Sequence, residues 1–137
     1  MGYRSDVVCL IYGERNEVNR FTDEVADKNV AYMAFKARNN ISFAGRVYFH
    51  NDMGYDVTHN DTVDLKCIIL RLQWYKWYDI HDEVQEWERL MKDAADAGLA
   101  VEFYRVGEDD GDNETKLSGT KLRYFGEIER KITTVFD

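Results

Sequence analysis

The fold is most clearly indicated by residues 65–107, which read LKCIILRLQWYKWYDIHDEVQEWERLMKDAADAGLAVEFYRVG. Its first part carries apolar side chains at every second position, at Ile68, Leu70, Leu72 and Trp74. This period of two predicts a strand with one buried face, and Trp74 lies on that face. Tyr75 and Trp77 instead share the parity of Arg71, which belongs to the more polar face.

The residues after this strand predict a helix and then another strand. Asp82 is placed to cap the helix, and Gln85, three residues on, completes a capping box. One helical stripe carries the apolar residues Val84, Trp87, Met91, Ala94 and Ala95. Gly98 provides the left-handed residue that commonly ends a helix, and a strand alternating from Leu99 follows. We expect Trp74 and Trp87 to be buried against the same face of the sheet.

The rest of the chain contributes further strands and a second helix. The predicted elements are a central strand at Val7–Tyr12, an amphipathic helix at Glu14–Asp27, a helix rather than a strand at Val30–Arg38, a strand at Ile41–Phe49, and a long strand from Leu122 to Phe136, bent at Gly126. We therefore predict one α+β domain, residues 1–137, with an antiparallel or mixed sheet and its helices on one face. The simplest match is a ferredoxin-like βαββαβ arrangement of two helices with one or more strands added at the C-terminus.

Composition limits the classes of partner. The net charge of −8 and the pI near 4.9 argue against general nucleic-acid binding, which needs a basic face. An acidic surface suits docking onto a basic protein. No apolar run approaches the length of a membrane span, and the N-terminus does not resemble a signal peptide. Cys9 and Cys67 lie in apolar strand-like runs and are expected to be buried thiols, unless the two strands are neighbours and allow a disulfide.

Two short motifs contain metal-ligating residue types. The loop between residues 50 and 61 repeats a His-Asn-Asp triplet, and its potential ligands are His50, Asp52, His59 and Asp61. Their spacing matches no compact metal motif, and Asn and Asp are ordinary turn formers. The acidic run 108–114 lacks the glycine and glutamate positions of a calcium-binding loop. Since the chain also has no nucleophile–base or phosphate-binding motif, we expect neither a metal, nor a cofactor, nor an enzyme.

The aromatic cluster at the end of the predicted strand that carries Ile68, Leu70 and Leu72 is the best candidate for a functional surface. Large rings beside a guanidinium are typical of protein-interface anchors, and an acidic turn follows the next strand along the chain. The candidate partner-binding residues are Arg71, Tyr75, Trp77, Tyr78, Glu108, Asp109, Asp110 and Asp112. Two alternatives stay open: the rings cover the sheet and nothing docks there, or they stack on a nucleotide.

Three segments carry a resemblance to a group of proteins. They are MGYRSDV at 1–7, KWYD at 76–79 followed by DEVQ at 82–85, and RVGED at 105–109. As a set and in this order, they resemble small accessory proteins of tailed bacteriophages and prophages. The region from Val30 to Asn60 departs from that group. No activity and no residue role transfers from it; the resemblance implies a protein made in the host cytoplasm during infection.

The sequence and this resemblance together favour a non-enzymatic protein that binds a host protein and inhibits or modulates it, with a defence factor among the candidate targets. The alternatives, in order, are a sponge that binds a small molecule or nucleotide, a minor virion component, and a metal-dependent hydrolase built on the loop from His50 to Asp61. The oligomeric state is not indicated by the sequence.

Overall fold

The computed structural model describes residues 3–48, 62–109, 111–119, 126–128 and 131–134. In chain order the elements are β1 (Ser5–Glu14), α1 (Arg15–Glu24), a 3-10 helix (Ala26–Lys28), α2 (Val30–Ala37), β2 (Ile41–Tyr48), β3 (Thr62–Tyr75), α3 (Asp82–Asp96), β4 (Ala100–Gly107), β5 (Asn113–Ser118), β6 (Gly126–Ile128) and β7 (Ile132–Thr134). None of the described helices is long and apolar enough to cross a bilayer.

Five strands form one antiparallel sheet in the order β2-β3-β1-β4-β5. β1 lies at its centre because all of its residues from Val7 to Tyr12 are apolar, so it can be buried on both faces. The α+β prediction is confirmed. The ferredoxin-like description is not, because the five-stranded order departs from that of the four-stranded fold and two α-helices, rather than one, join β1 to β2.

All three α-helices pack on one face of the sheet. The amphipathic stripe of α3 buries Val84, Trp87, Leu90, Met91 and Ala94 against alternate residues of β1, β3 and β4. Asn29 joins α2 to α3, because its side chain accepts a 2.9 Å hydrogen bond from the Tyr32 N–H and donates one of the same length to the Glu86 carbonyl. The first is the N-cap bond of α2. The prediction of a helix rather than a strand at Val30–Arg38 is confirmed, and this cap is one reason for it.

The opposite face of the sheet carries a second apolar cluster. It contains Val8, Leu10, Tyr12, Leu65, Cys67, Ile69 and Ala100. Ile132 of β7 packs against this cluster, and β7 pairs with β6 in an antiparallel hairpin. The prediction of one long C-terminal strand bent at Gly126 is therefore wrong: Ile128 pairs with Ile132, so the chain reverses direction between them.

A β-bulge interrupts the alternation of β3. Ser5 pairs with Tyr75 whereas Val7 pairs with Leu72, so β3 has one more residue than β1 in this interval. Trp74 absorbs the extra residue with a φ of 56°. As a result Trp74 is 67% exposed and Tyr75 packs towards the helix-side core, so the prediction that Trp74 is buried beside Trp87 is wrong.

The start of α3 also differs from the prediction. Asp82 is the first helical residue, and the capping position belongs to His81, whose side chain makes no capping hydrogen bond. Gln85 donates its side-chain N–H to the Asp79 carbonyl over 2.9 Å instead of completing a capping box. The other end of α3 agrees with the sequence, since Gly98 has a φ of 86°.

Trp87 and Trp74 provide a matched pair for testing this fold. Trp87 is fully buried, and its ring lies edge-on to Phe35 with the centroids 5.8 Å apart. We predict that Trp87→Ala lowers the free energy of unfolding by about 3–5 kcal/mol, since it leaves a large cavity. Trp74→Ala should change it by less than about 0.5 kcal/mol, as at other exposed sites. Urea unfolding of both variants measures this, and a larger loss at Trp74 would contradict the assignment.

Candidate functional site

Four strands bring their termini together at one end of the sheet. β1 begins there and β3 and β4 end there, since Ser5 pairs with both Tyr75 and Gly107. β5 begins beside them, since Asn113 pairs with Val106. The loop from β3 to α3 and the turn from β4 to β5 leave from this end. We call the described residues 3–6, 74–81, 105–109 and 111–114 the sheet end.

A groove of about 450 Å³ opens at the sheet end. Its walls come from four separate parts of the chain: Tyr3, Trp77, Tyr78, Asp79, Ile80, Arg105, Asp112 and Glu114. The groove combines aromatic rings, three carboxylates and one guanidinium, and its volume lies within the usual range for ligand sites.

Arg105 and Asp112 form the polar centre of the groove. The Arg105 guanidinium donates to both carboxylate oxygens of Asp112, over 2.9 Å to Oδ1 and 3.2 Å to Oδ2, and to the Ser5 hydroxyl over 3.1 Å. The Tyr3 hydroxyl also donates to Asp112 and accepts a 3.0 Å hydrogen bond from the Asp109 N–H. These bonds fix the N-terminal segment to the turn between β4 and β5.

Gly107 permits this arrangement. A Cβ atom at position 107 would collide with the Asp112 carboxylate and with the Tyr3 hydroxyl. The turn is held further by a 2.8 Å hydrogen bond from the Gly107 N–H to the Asp112 carbonyl, and by another of the same length from the Arg4 N–H to Glu108. The glycine thus leaves room for the Asp112 carboxylate and the Tyr3 hydroxyl to approach the backbone closely.

The charges of the pair shift both of its titrations. Hydrogen bonds from Arg105, and then from Tyr3, hold the pKa of Asp112 below its ordinary value of 3.8. The bond to Asp112 raises the pKa of Arg105 in turn. Both groups therefore stay ionised at neutral pH, and Arg105 keeps its donors engaged within the protein.

Two large apolar side chains are exposed at the sheet end. Ile80 is 82% exposed in the loop before α3, and it forms part of the groove wall. Trp74 is 67% exposed, and its backbone N–H donates to the Asp6 carboxylate over 2.9 Å. Exposed apolar residues of this size in a charged setting are candidates for contact with a partner.

The bulge places the predicted aromatic residues Tyr75 and Trp77 on the opposite side of the sheet from Arg71. Tyr75 and Trp77 do not lie on an open face with Arg71. Tyr75 packs edge-on against Phe35 at 5.7 Å and donates to Glu83 over 2.8 Å, and Trp77 is only 7% exposed against Phe103. Arg71 pairs with Val8 and so lies on the opposite face of β3.

Several of the other predicted site residues lie at the sheet end. Tyr78 and Asp112, distant in sequence, both line the groove, while Glu108 and Asp109 lie in the adjoining turn. Asp110 lies outside the described residues. The groove walls that the prediction did not include are Tyr3, Asp79, Ile80, Arg105 and Glu114, and the exposed ring of Trp74 was assigned to the core. Position in the sequence indicates three of them, since Asp79 and Ile80 follow the aromatic run and Glu114 ends the acidic run.

A buried carboxylate on the second face also escaped the sequence analysis. Glu102 alternates along β4 with Val101 and Phe103, which face the helices, and yet it is fully buried. Its carboxylate accepts hydrogen bonds from the hydroxyls of Tyr12 and Tyr104, which lie on the same face. Because two donors satisfy the carboxylate within the protein, this cluster has the character of a structural polar network.

The two cysteines are buried and free, as the first alternative held. Cys9 belongs to the helix-side cluster and Cys67 to the second, so they lie on opposite faces of neighbouring strands. Burial raises the pKa of Cys9 to about 12 and that of Cys67 well above its ordinary value. Neither thiol is therefore set up as a nucleophile.

The weak metal candidates His50, Asp52, His59 and Asp61 lie outside the described residues. Within the parts of the chain that are described, no group of three or more His, Cys, Asp or Glu side chains is arranged to hold a metal ion.

Comparisons with protein-family models, with curated proteins and with solved structures gave no significant match to this chain.

The Arg105–Asp112 pair makes a pH-dependent contribution to stability. Because the pKa of Asp112 is lowered in the folded protein, this contribution is present above the ordinary value of 3.8 and is lost as the pH falls through the folded value. We predict that an NMR titration of the Asp112 carboxyl carbon has its midpoint below 3.8. Arg105→Gln should raise that midpoint, whereas Arg89→Gln, which removes the same charge from α3, should leave it unchanged. Equal midpoints in the wild type and Arg105→Gln would contradict the pairing.

Proposed function

We propose that this chain is a non-enzymatic binding protein of a tailed bacteriophage, made in the host cytoplasm, which binds a host protein through the sheet end and inhibits or modulates it. A defence factor is the first class of target to consider. The phage origin rests on the sequence resemblance alone. The binding function rests on one structural observation, the exposure of Ile80 and Trp74 among carboxylates at the sheet end.

The apolar side chains supply the contact area that such a surface needs. Tryptophan and tyrosine are enriched among the residues that dominate binding energy at protein interfaces. Tyr78 lines the groove, as do Trp77 and Ile80 close to it in the sequence. Trp74 occupies a left-handed backbone conformation that strongly disfavours a bulky residue. A large exposed ring in a strained position is more easily explained by contact with a partner than by stability.

The charges of the sheet end indicate a basic partner. Its described carboxylates are Asp6, Asp79, Glu108, Asp109, Asp112 and Glu114, whereas its described basic side chains, besides His81, are Arg4, Lys76 and Arg105. Arg105 is neutralised by Asp112. Excess negative charge steers a partner that carries lysine and arginine and disfavours acidic ones.

A small-molecule binder is the second candidate, since the volume of the groove suits a ligand of that size. The nucleotide version of that candidate is weaker. Three carboxylates line the groove, and the one guanidinium that could hold a phosphate is already engaged by Asp112.

The proposal is tested by comparing the proteins that three tagged forms retain from a host lysate. The forms are the wild type, a Trp74→Ser/Ile80→Ser variant, and a Val30→Ser/Met33→Ser control. The control removes two exposed apolar side chains of α2, which are 66% and 55% exposed. We expect a partner that the wild type and the control retain equally and that the sheet-end variant loses.

Retention of the same partner by all three forms would contradict the choice of surface, and the absence of any enriched partner would contradict the binding function. A small molecule that leaves with the purified protein in place of a partner would favour the second candidate. Rising salt should weaken the expected complex, because exposed charges are screened.

A further inference from the structure

We propose that the groove at the sheet end receives an arginine side chain of the partner. This inference rests on the proposed function, because it assigns the partner's contribution at the same surface. It is carried by one unpaired and one loosely paired carboxylate of the groove, by its aromatic wall and by the internal use of Arg105.

The carboxylates leave unused hydrogen-bonding capacity. Asp79 is exposed, and its side chain forms no hydrogen bond or ion pair with any described residue. Glu114 is only loosely paired, with its carboxylate 3.7 Å from Arg105 Nε and 3.9 Å from Lys116 Nζ. Both side chains line the groove, so a cation that enters it meets two acceptors whose charge is not fully used.

Arg105 does not compete for an anionic ligand. Its guanidinium donates to Ser5 and to both oxygens of Asp112, and its side chain is 15% exposed. A phosphate or a carboxylate would have to displace Asp112 while facing Asp79 and Glu114. The electrostatics of the groove therefore select a cation.

The aromatic wall selects the type of cation. Trp77 and Tyr78 line the groove, and the Tyr78 ring is held by an edge contact with His81 at 5.1 Å. A planar guanidinium stacks on aromatic rings and binds carboxylates with paired hydrogen bonds, whereas an ammonium is more strongly hydrated. Ile80, on the same wall, offers apolar surface to the methylene stem of an arginine.

The test is an NMR titration of the full chain with the blocked tripeptide Ac-Gly-Arg-Gly-NH₂, using the lysine and glutamate tripeptides for comparison. We expect shifts concentrated at the Trp77 indole N–H, Tyr78 and Ile80, with arginine binding more tightly than lysine and no binding of glutamate. Asp79→Asn/Glu114→Gln should weaken arginine binding about tenfold, because two charge-assisted contacts are lost. Asp23→Asn/Glu24→Gln, which removes the same charge from exposed positions of α1, should bind as the wild type does.

Equal binding by both variants, shifts spread over the surface, or equal affinity for arginine and lysine would overturn the inference. Its failure is separable from failure of the proposed function. If the tripeptide does not bind but the Trp74/Ile80 variant still loses a host partner, the surface is correct and the arginine assignment is wrong. If the tripeptide binds in the groove and no host partner exists, the arginine site is correct and the proposed host-binding function is wrong.

Discussion

One extra residue in β3, opposite the start of β1, sets the register in which the two strands pair there. The arrangement of the sheet end depends on that register. A strand with a strict period of two would have placed Trp74 in the helix-side core. The bulge shifts the register between Leu72 and Tyr75, so that Tyr75 takes the inward position and Trp74 is turned into solvent. A bulge near the end of a strand commonly redirects side chains at functional sites. Here it determines which aromatic rings pack against the core and which is exposed to solvent.

Much of the fold could be predicted from the sequence because local signals agreed with the tertiary structure. The strand from Leu65, the helix buried through Trp87 and the glycine stop at Gly98 are each specified by periodicity or by backbone conformation. The bulge could not be predicted, since nothing in the alternation of residues 68–75 marks an extra residue. Glu102 was also unpredictable, because its burial depends on tyrosine hydroxyls contributed by a neighbouring strand as well as by its own.

The candidate site could be predicted only in part, for a related reason. Sequence proximity grouped the aromatic run with the acidic turn, and the structure places Tyr78 and Asp112 in one groove. Tyr3 lies 109 positions from Asp112, and no local pattern indicates that its hydroxyl donates there. Parity reasoning chose Tyr75 and Trp77 as the exposed anchors and so selected the two rings that the bulge places against the core.

The central structural claim is that the bulge exposes Trp74 and buries Trp77. Acrylamide quenching of three variants, each retaining one tryptophan and carrying phenylalanine at the other two positions, tests it directly. We expect strong quenching for Trp74 alone and weak quenching for Trp77 and Trp87, in keeping with exposures of 67%, 7% and 0%. Strong quenching of Trp77 together with a shielded Trp74 is what an unbroken strand would give, and it would rule out the bulge.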